Sequence, residues 1–387
     1  MFDMSPRSIL TFGNFFAVAH FYLIIYLITP YLATFMPDSA TGLVVSLGAI
    51  MTLSVFPFMP HLVRRYGPRR LAVFFGSIEA FALAWLAVEP TPIPAVLMVA
   101  VACATSPLLV YQLDLLLEAT IAKEGTTGRI RTMFLTAGNI ALVASPLIAG
   151  MLLDSGEAYW RVYALAAVSL VPFIGLMLVR RLPEGRTPNF VTVMEAYVCL
   201  LRDKDLRAIV IAHGTLQFFY HVAPLYIPLY LHHVLGMPWQ NLGWMFAVML
   251  FPFVLLEYPA GWLADRKWGD QELLLAGFVL MATAFAALAM VTADTTVLVI
   301  LILLVMNRAG AALVEAMSEG HFFRRVSEND AATVSLFRMT RPMAALTAPV
   351  VCSILLSISS YGALFIVTGM LIGIVGVASG LAIKDIK

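Results

Sequence analysis

The sequence predicts an all-α integral membrane protein with about twelve transmembrane helices, arranged as two six-helix pseudo-symmetric halves. Hydrophobic residues make up 61% of the 387 positions and charged residues only 12%, far from the balance of a soluble protein. Apolar runs of about 20 residues, the length that a helix needs to cross a bilayer, recur along the whole chain. Segments of alternating polarity, typical of membrane barrels, are absent, and backbone hydrogen bonding in lipid then requires helices.

The apolar runs define the expected spans in chain order. They cover residues 8–36, 40–62, 71–90, 93–118, 131–153, 159–180, 207–235, 239–262, 272–293, 295–318, 334–358 and 360–383. The longest polar interruption, residues 181–206, predicts a cytoplasmic central loop, and its stretch "FVTVMEAYVCLL" could form an interfacial amphipathic helix. The expected domains are therefore a six-helix half over 1–180, this loop, and a second half over 207–387.

The two halves also resemble each other in sequence. Pro57 and Pro259 are offset by 202 positions, and Pro146 and Pro349 by 203. Phe15 and Phe16 match Phe218 and Phe219 at the same offset of 203. Several matches at nearly one offset indicate a duplicated unit, an architecture typical of transporters with a substrate site near the membrane midplane.

The basic residues predict the orientation of the chain. Of the 24 lysines and arginines, all but Arg161 and Arg308 fall in segments on one side, if both termini are cytoplasmic. We therefore expect a multi-pass protein of the plasma membrane with both ends inside the cell. The first apolar run is too long for a cleaved signal peptide and is expected to remain as an anchor. The cysteines have no metal-ligand spacing, so no metal and no cofactor are expected.

The stretch "VMNRAGAALVEAMSEG", residues 305–320, places Arg308 and Glu315 inside the predicted span 295–318 and Glu319 just beyond its cytoplasmic end. Helical periodicity places Arg308, Glu315 and Glu319 on one face. A charge at mid-depth costs at least about 2.5 kcal/mol, so Arg308 should face the bundle interior or a water-filled cavity. Arg308 is the leading candidate for binding an anionic substrate group or for partnering a proton-linked carboxylate. A fixed ion pair between helices is the alternative.

Other polar side chains within the spans are candidates for contacts with a substrate. They could orient a solute by hydrogen bonding and stacking, although packing residues would give the same pattern. They are Gln217, Tyr220 and His221 in the seventh span, Tyr22 and Tyr26 in the first, and Tyr111 in the fourth.

Acidic pairs end the fourth and tenth spans, and basic pairs open the fifth and eleventh. This arrangement predicts ion pairs for proton coupling or an inner gate, with solvated helix ends as the alternative. The acidic residues are Asp114, Glu118, Glu315 and Glu319, and the basic residues are Arg129, Arg131, Arg338 and Arg341.

Two inner loops are similar to the loop signature of the major facilitator superfamily. In "GWLADRKWG" the matching residues are Gly261, Asp265, Arg266 and Gly269. In "PHLVRRYGPRR" they are Arg65, Gly67, Arg69 and Arg70, while Pro60 and Arg64 depart from the family's glycine and aspartate. Together with twelve spans in two halves, the resemblance covers essentially the whole chain.

The resemblance implies a central cavity lined by the first, fourth, seventh and tenth spans, and a gating role for Asp265 near Arg129 and Arg131. It places the third span, with the mid-depth Glu79, at the periphery. The element "SPLIAG", Ser145 to Gly150, resembles one found in antiporters, although helix packing alone explains it as well.

Function follows from these expectations. The chain is expected to be a secondary active transporter for a small organic solute, working by alternating access, coupled to protons, and an efflux antiporter. The alternatives are a proton-coupled symporter or facilitator for an organic anion and, from another class, a membrane enzyme or a sensor. Expected partners are the substrate, protons and lipid, with no nucleic acid, and the chain is expected to act as a monomer.

Overall fold

The structure is a computed structural model that describes residues 5–88, 90–124, 127–153, 156–179, 203–256, 269–326 and 331–383, together with Leu182 and Pro259. Side chains are not described at 121–124, 127–132, 331, 332 and 335. Throughout the described residues the regular secondary structure is helical, which confirms the predicted all-α class.

The first eight helices lie in the first half of the chain. Their bounds are α1 Pro6–Ile24, α2 Ile28–Ala33, α3 Asp38–Val55, α4 Met59–Tyr66, α5 Pro68–Leu86, α6 Pro92–Glu124, α7 Thr127–Leu153 and α8 Tyr159–Val179. Three of them begin with proline. Proline is tolerated in the first turn of a helix because the N–H group that it lacks would have no hydrogen-bond partner there. Gly67 joins α4 to α5 at a φ of 79°, a backbone conformation that favours glycine.

The second half of the chain contains six more helices among the described residues. They are α9 Lys204–Pro228, α10 Trp239–Met249, α11 Asp270–Ala287, α12 Val297–Arg325, α13 Ala331–Ile358 and α14 Tyr361–Ala382. Helix α9 contains Pro224 and Pro228 and continues into a π-helical turn at Leu229–Val234, because each proline removes a backbone donor.

Eleven helical segments among the described residues are long and apolar enough to cross a membrane. The expected third span is the remaining helix, α5. It has 19 residues and contains Arg69, Arg70 and Glu79, so its charge sets it apart from the other spans. Glu79 is fully buried, so the charge in the middle of this helix faces protein.

The Cα positions divide the chain into two compact units. The first contains Met1–Pro188 and Leu231–Ala247, and the second contains Asn189–Tyr230 and Val248–Lys387. Residues 231–247 join the first unit through close helix contacts. A Cβ atom on Gly150 would lie 2.7 Å from the Cα of Gly243, and the rings of Tyr26 and Phe246 stack with centroids 4.8 Å apart. The domain boundaries expected from the sequence remain a prediction.

Candidate functional site

Arg308 is held in the second unit by a close crossing of two helices. The apolar run that begins at Val297 forms α12, and Gly310 lies at its contact with α11. A Cβ atom on Gly310 would lie 2.6 Å from the carbonyl oxygen of Gly277, so only glycine allows the two backbones to approach this closely. The position of α12 is therefore fixed at Gly310, two residues after Arg308.

The guanidinium group of Arg308 is buried with incomplete hydrogen bonding. The side chain is 4% exposed, and its carbon Cζ lies 5.3 Å from the ring centroid of Phe219 in α9. Its Nε and Nη2 atoms are buried and have no hydrogen-bond partner among the described residues. A buried cation without acceptors is costly, and an anionic group of a ligand would supply them.

The polar side chains on one face of α9 form hydrogen bonds within the second unit. The hydroxyl of Tyr220 donates to Glu315 Oε2 at 2.6 Å. His221 Nδ1 lies 2.8 Å from the carbonyl oxygen of Gln217, and Gln217 Nε2 lies 3.2 Å from His213 Nε2. Tyr220 and Glu315, predicted from separate patterns, therefore meet, whereas Gln217 and His221 are connected along their own helix.

The expected pairs at the inner ends are described only in the second unit. Glu319 Oε1 lies 3.7 Å from Arg338 Nη1 and 3.5 Å from Arg341 Nη2, and a role of these residues in proton coupling or gating remains a prediction. In the first unit, Asp114 and Glu118 are exposed on α6. The side chains of Arg129 and Arg131 lie outside the described residues, so their pairing with these acids remains a prediction.

The three predicted tyrosines of the first unit have aromatic or apolar surroundings. Tyr22 and Tyr26 line a small cavity with Pro146, Gly150 and Trp239. Tyr111 packs edge-on against Phe56, with ring centroids 5.7 Å apart. These contacts explain the positions of the rings by packing, and a substrate contact remains a prediction for each.

The loop signature is described in its first copy. Gly67 has the positive φ given above, Arg69 Nη1 donates to the carbonyl oxygen of Met177 at 3.4 Å, and Arg65 packs over its neighbour Tyr66. Arg70 is exposed. In the second copy, Gly261, Asp265 and Arg266 lie outside the described residues. Gly269 is described, and its N–H donates to Glu272 at the start of α11.

A buried acid–base cluster in the second unit was missed by the sequence analysis. His321 is fully buried, with Nε2 3.0 Å from Asp205 and Nδ1 3.1 Å from Asp270. Arg324 forms an ion pair with Asp270, and Arg325 Nη1 lies 2.9 Å from Asp205 Oδ2. The cluster joins the starts of α9 and α11 to the end of α12. The sequence did contain a signal for this cluster, namely acidic residues at the starts of two helices and basic residues at the end of a third.

Asp203 extends this cluster and caps α9. Its Oδ1 accepts the N–H groups of Asp205 and Leu206 at 2.9 and 3.2 Å, and its Oδ2 lies 3.2 Å from Arg325 Nη2. Burial acts to raise the pKa of Asp203, but the hydrogen bonds from Leu206, Arg325 and Asp205 outweigh it. The pKa of this carboxyl is therefore held below its usual value.

The surroundings of two further sets of polar side chains within the spans became evident only in three dimensions. Asn307, next to Arg308, is fully buried, and neither atom of its amide has a partner among the described residues. In the first unit, His20 Nε2 lies 3.0 Å from Glu79 Oε1, and both side chains are fully buried. The sequence signal was a polar residue within an apolar run, but it does not reveal which side chains are partners.

A family model and two solved structures match nearly the whole chain. The model of the Major Facilitator Superfamily matches residues 10–243 and 240–386. The solved nucleoside transporter NupG is 14% identical, with a TM-score of 0.79, and the match covers 98% of this chain and 99% of that one. An auto-inhibited peptide transporter of the POT family is 12% identical, with a TM-score of 0.77, over 97% and 96% of the two chains. No curated protein matches by sequence.

Proposed function

This chain belongs to the Major Facilitator Superfamily, and we propose that it is a proton-coupled secondary active transporter for a small organic solute with an anionic group. The single observation that carries the proposal is Arg308, 4% exposed, with two guanidinium nitrogens that lack partners among the described residues. A carboxylate or phosphate group would accept from a planar guanidinium in bidentate fashion. Arg308 is thus the proposed anion-binding residue.

Neighbouring side chains support recognition of the rest of the solute. The ring of Phe219 lies on one side of the Arg308 guanidinium. The side-chain amide of Asn307 is buried, and its donor and acceptor atoms have no hydrogen-bond partner among the described residues. The solved neighbours are transporters of nucleosides and of peptides, which are polar organic solutes. Their low identity supports the fold rather than any one substrate, so the anionic group is proposed from Arg308 alone.

Proton coupling is proposed from titratable groups within the spans. Glu315 is partly exposed and accepts a hydrogen bond from Tyr220, so it is a carboxylate that water and a proton can reach in the second unit. The "SPLIAG" element supports efflux less strongly, because Gly150 contacts Gly243 and thereby has a packing role. The distribution of basic residues supports an orientation with both termini in the cytoplasm, and the plasma membrane is part of the proposal.

The role of Arg308 is tested by two substitutions. A thermal-shift screen of small carboxylates and phosphates against purified protein selects a bound anion, and calorimetry then measures its affinity for each variant. Arg308→Lys keeps the charge but loses the planar fork, so we expect partly weakened binding, and Arg308→Gln should weaken binding much more.

A thermal melt of each variant separates binding from folding. If Arg308 were only the structural partner of an acid, both variants would be less abundant as folded protein, while the surviving protein would bind normally. Wild-type affinity in a well-folded Arg308→Gln protein would therefore contradict the proposed anion contact.

A further inference from the structure

His20 of α1 and Glu79 of α5 form a buried pair inside the first unit. Both side chains are 0% exposed, and His20 Nε2 lies 3.0 Å from Glu79 Oε1, at ion-pair distance but outside the angles of a hydrogen bond. The remaining polar atoms, His20 Nδ1 and Glu79 Oε2, are also buried and have no hydrogen-bond partner among the described residues. Two titratable side chains are therefore buried side by side, 3.0 Å apart, and neither has a hydrogen-bond partner among the described residues.

The pair lies at mid-depth in its two helices. His20 is near the middle of the segment Pro6–Ala33, which is long enough to cross a membrane, and Glu79 is near the middle of Pro68–Leu86. Ionisable residues at this depth are rare, and they commonly mark proton or ion pathways. A purely structural role is served more cheaply by apolar packing, since burying charge requires compensation.

The helices around the pair contribute few other titratable groups. Cys103 of α6 is close enough to Glu79 to interact electrostatically, and Tyr163 of α8, which interacts with Cys103, has a buried hydroxyl without a partner among the described residues. The described side chains of α7, from residue 133 to 153, include no ionisable group. The other charged or titratable residues at or near the ends of the packed helices are Arg7, His61, Arg64, Arg65, Tyr66, Arg69, Arg70, Tyr159 and Arg161. Tyr22 lies two residues after His20, and Tyr111 lies near the middle of α6, with Asp114 and Glu118 further along that helix.

The charge of the pair depends on one proton. With one proton shared, the pair is neutral overall, as imidazole with carboxylic acid or as imidazolium with carboxylate. With no proton, it carries one negative charge and has no other cation nearby among the described residues. A net charge buried in a dry interior is costly, so loss of the proton requires access to water or to a compensating cation.

We propose that His20 and Glu79 form a proton-binding site in the first unit, which takes up one proton and releases it once in each transport cycle. The proton binds to the Glu79 carboxylate, His20 accepts a hydrogen bond from the resulting acid, and no other bond forms or breaks. The site rests on the proposed function for its role in the cycle, but its ligand is a proton, so it can be tested without a substrate.

Infrared spectroscopy of the purified protein tests proton binding directly. We expect a carbonyl band of a buried carboxylic acid that disappears as pH is raised, that is missing in Glu79→Gln, and that titrates at a different pH in His20→Asn. Glu157→Gln, which removes an exposed glutamate of the same unit, is the matched control and should keep the band. A titrating band that keeps its full wild-type intensity in Glu79→Gln would overturn the proposal, as would a wild-type protein with no such band.

Flux through vesicles tests the role in coupling, with a labelled anion selected by its binding to the wild-type protein. Because glutamine mimics the neutral acid, Glu79→Gln should retain exchange of labelled for unlabelled anion but lose accumulation driven by a pH gradient. If Glu79→Gln accumulates the anion as the wild type does, the site is not the coupling site. If Glu79→Gln folds poorly, Glu79→Asp is used, and an unchanged pH dependence of accumulation then overturns the proposal.

The two proposals fail in distinguishable ways. If the wild type moves no solute, the proposed function fails, while the infrared titration still decides whether His20 and Glu79 bind a proton. If the wild type transports and Glu79→Gln remains fully coupled, the proposed function stands and the role of His20 and Glu79 in coupling fails.

Discussion

At the residue scale, Asp203 combines a helix cap with a charge contact, and substitutions can separate the two. Asp203→Asn keeps a side-chain oxygen that accepts the N–H groups of Asp205 and Leu206, but loses the charge that faces Arg325. Asp203→Ala loses both, so it should destabilise the protein further, by about 0.5–2 kcal/mol for the lost cap. Apparent melting temperatures in detergent should therefore decrease from wild type to Asn to Ala.

The charge of Asp203 also gives a pH dependence of known sign. Its pKa is lowered in the folded protein, so its stabilising effect is present above the unfolded pKa of about 3.9 and is lost as pH falls through the folded pKa. The melting difference between wild type and Asp203→Asn should be small at neutral pH, because the side chain is 40% exposed and solvent screens it. That difference should vanish in acid, and one that grew on acidification would contradict this account.

Individual residues show how far sequence reasoning can reach. Arg308 could be predicted because a charge in the middle of an apolar run must be buried or wet. Its position over the ring of Phe219, and the contact of Tyr220 with Glu315, could not be predicted, because they depend on the rotation of one helix against another. Asp265 lies outside the described residues, so its gating role remains a prediction.

At the element scale, the spans were predictable because bilayer thickness sets helix length and composition together. Helix α5 was the exception, since its arginines and Glu79 lower its hydropathy although it begins and ends near the predicted span. Helix partners were harder to predict. The contact of Gly150 with Gly243 requires small residues at matching heights, and no local pattern reveals which glycines meet.

The crossing of α11 and α12 gives a prediction about packing. In Gly310→Ala the new Cβ would lie 2.6 Å from both the Gly277 carbonyl oxygen and the Met281 nitrogen. Because backbone atoms cannot move aside as a side chain can, the helices must separate, at a cost of about 1–3 kcal/mol. We expect a lower melting temperature and weaker anion binding, since Arg308 lies one half-turn away on the same helix.

Gly175 provides the matched control for this substitution. A Cβ atom there would have no neighbour within 4 Å, so Gly175→Ala in α8 should be neutral or stabilise the helix by about 0.5–1 kcal/mol. Equal melting temperatures for the Gly310 and Gly175 variants would show that the crossing is not as tight as its backbone distances indicate.

At the scale of the whole molecule, the account is that a Major Facilitator Superfamily chain carries an anion-binding arginine in its second unit and a buried His–Glu pair in its first. The duplicated prolines and phenylalanines predicted two halves, and the fold is confirmed. The chemistry of the substrate could not be predicted as fully as the fold. One family fold serves transporters of many solutes, and the side chains that select among them, here proposed to be Arg308 and Asn307, are not specified by the fold.

The most direct test of the central claim is flux of the anion through reconstituted vesicles. Purified protein is placed in sealed vesicles, and the labelled anion that binds the wild type is added outside under an imposed pH gradient. The account predicts accumulation that collapses when the gradient is dissipated and that is strongly reduced in a folded Arg308→Gln protein. Chemical conversion of the anion without its entry into the vesicles, or binding with no entry at all, would contradict transport and favour a membrane enzyme or a sensor.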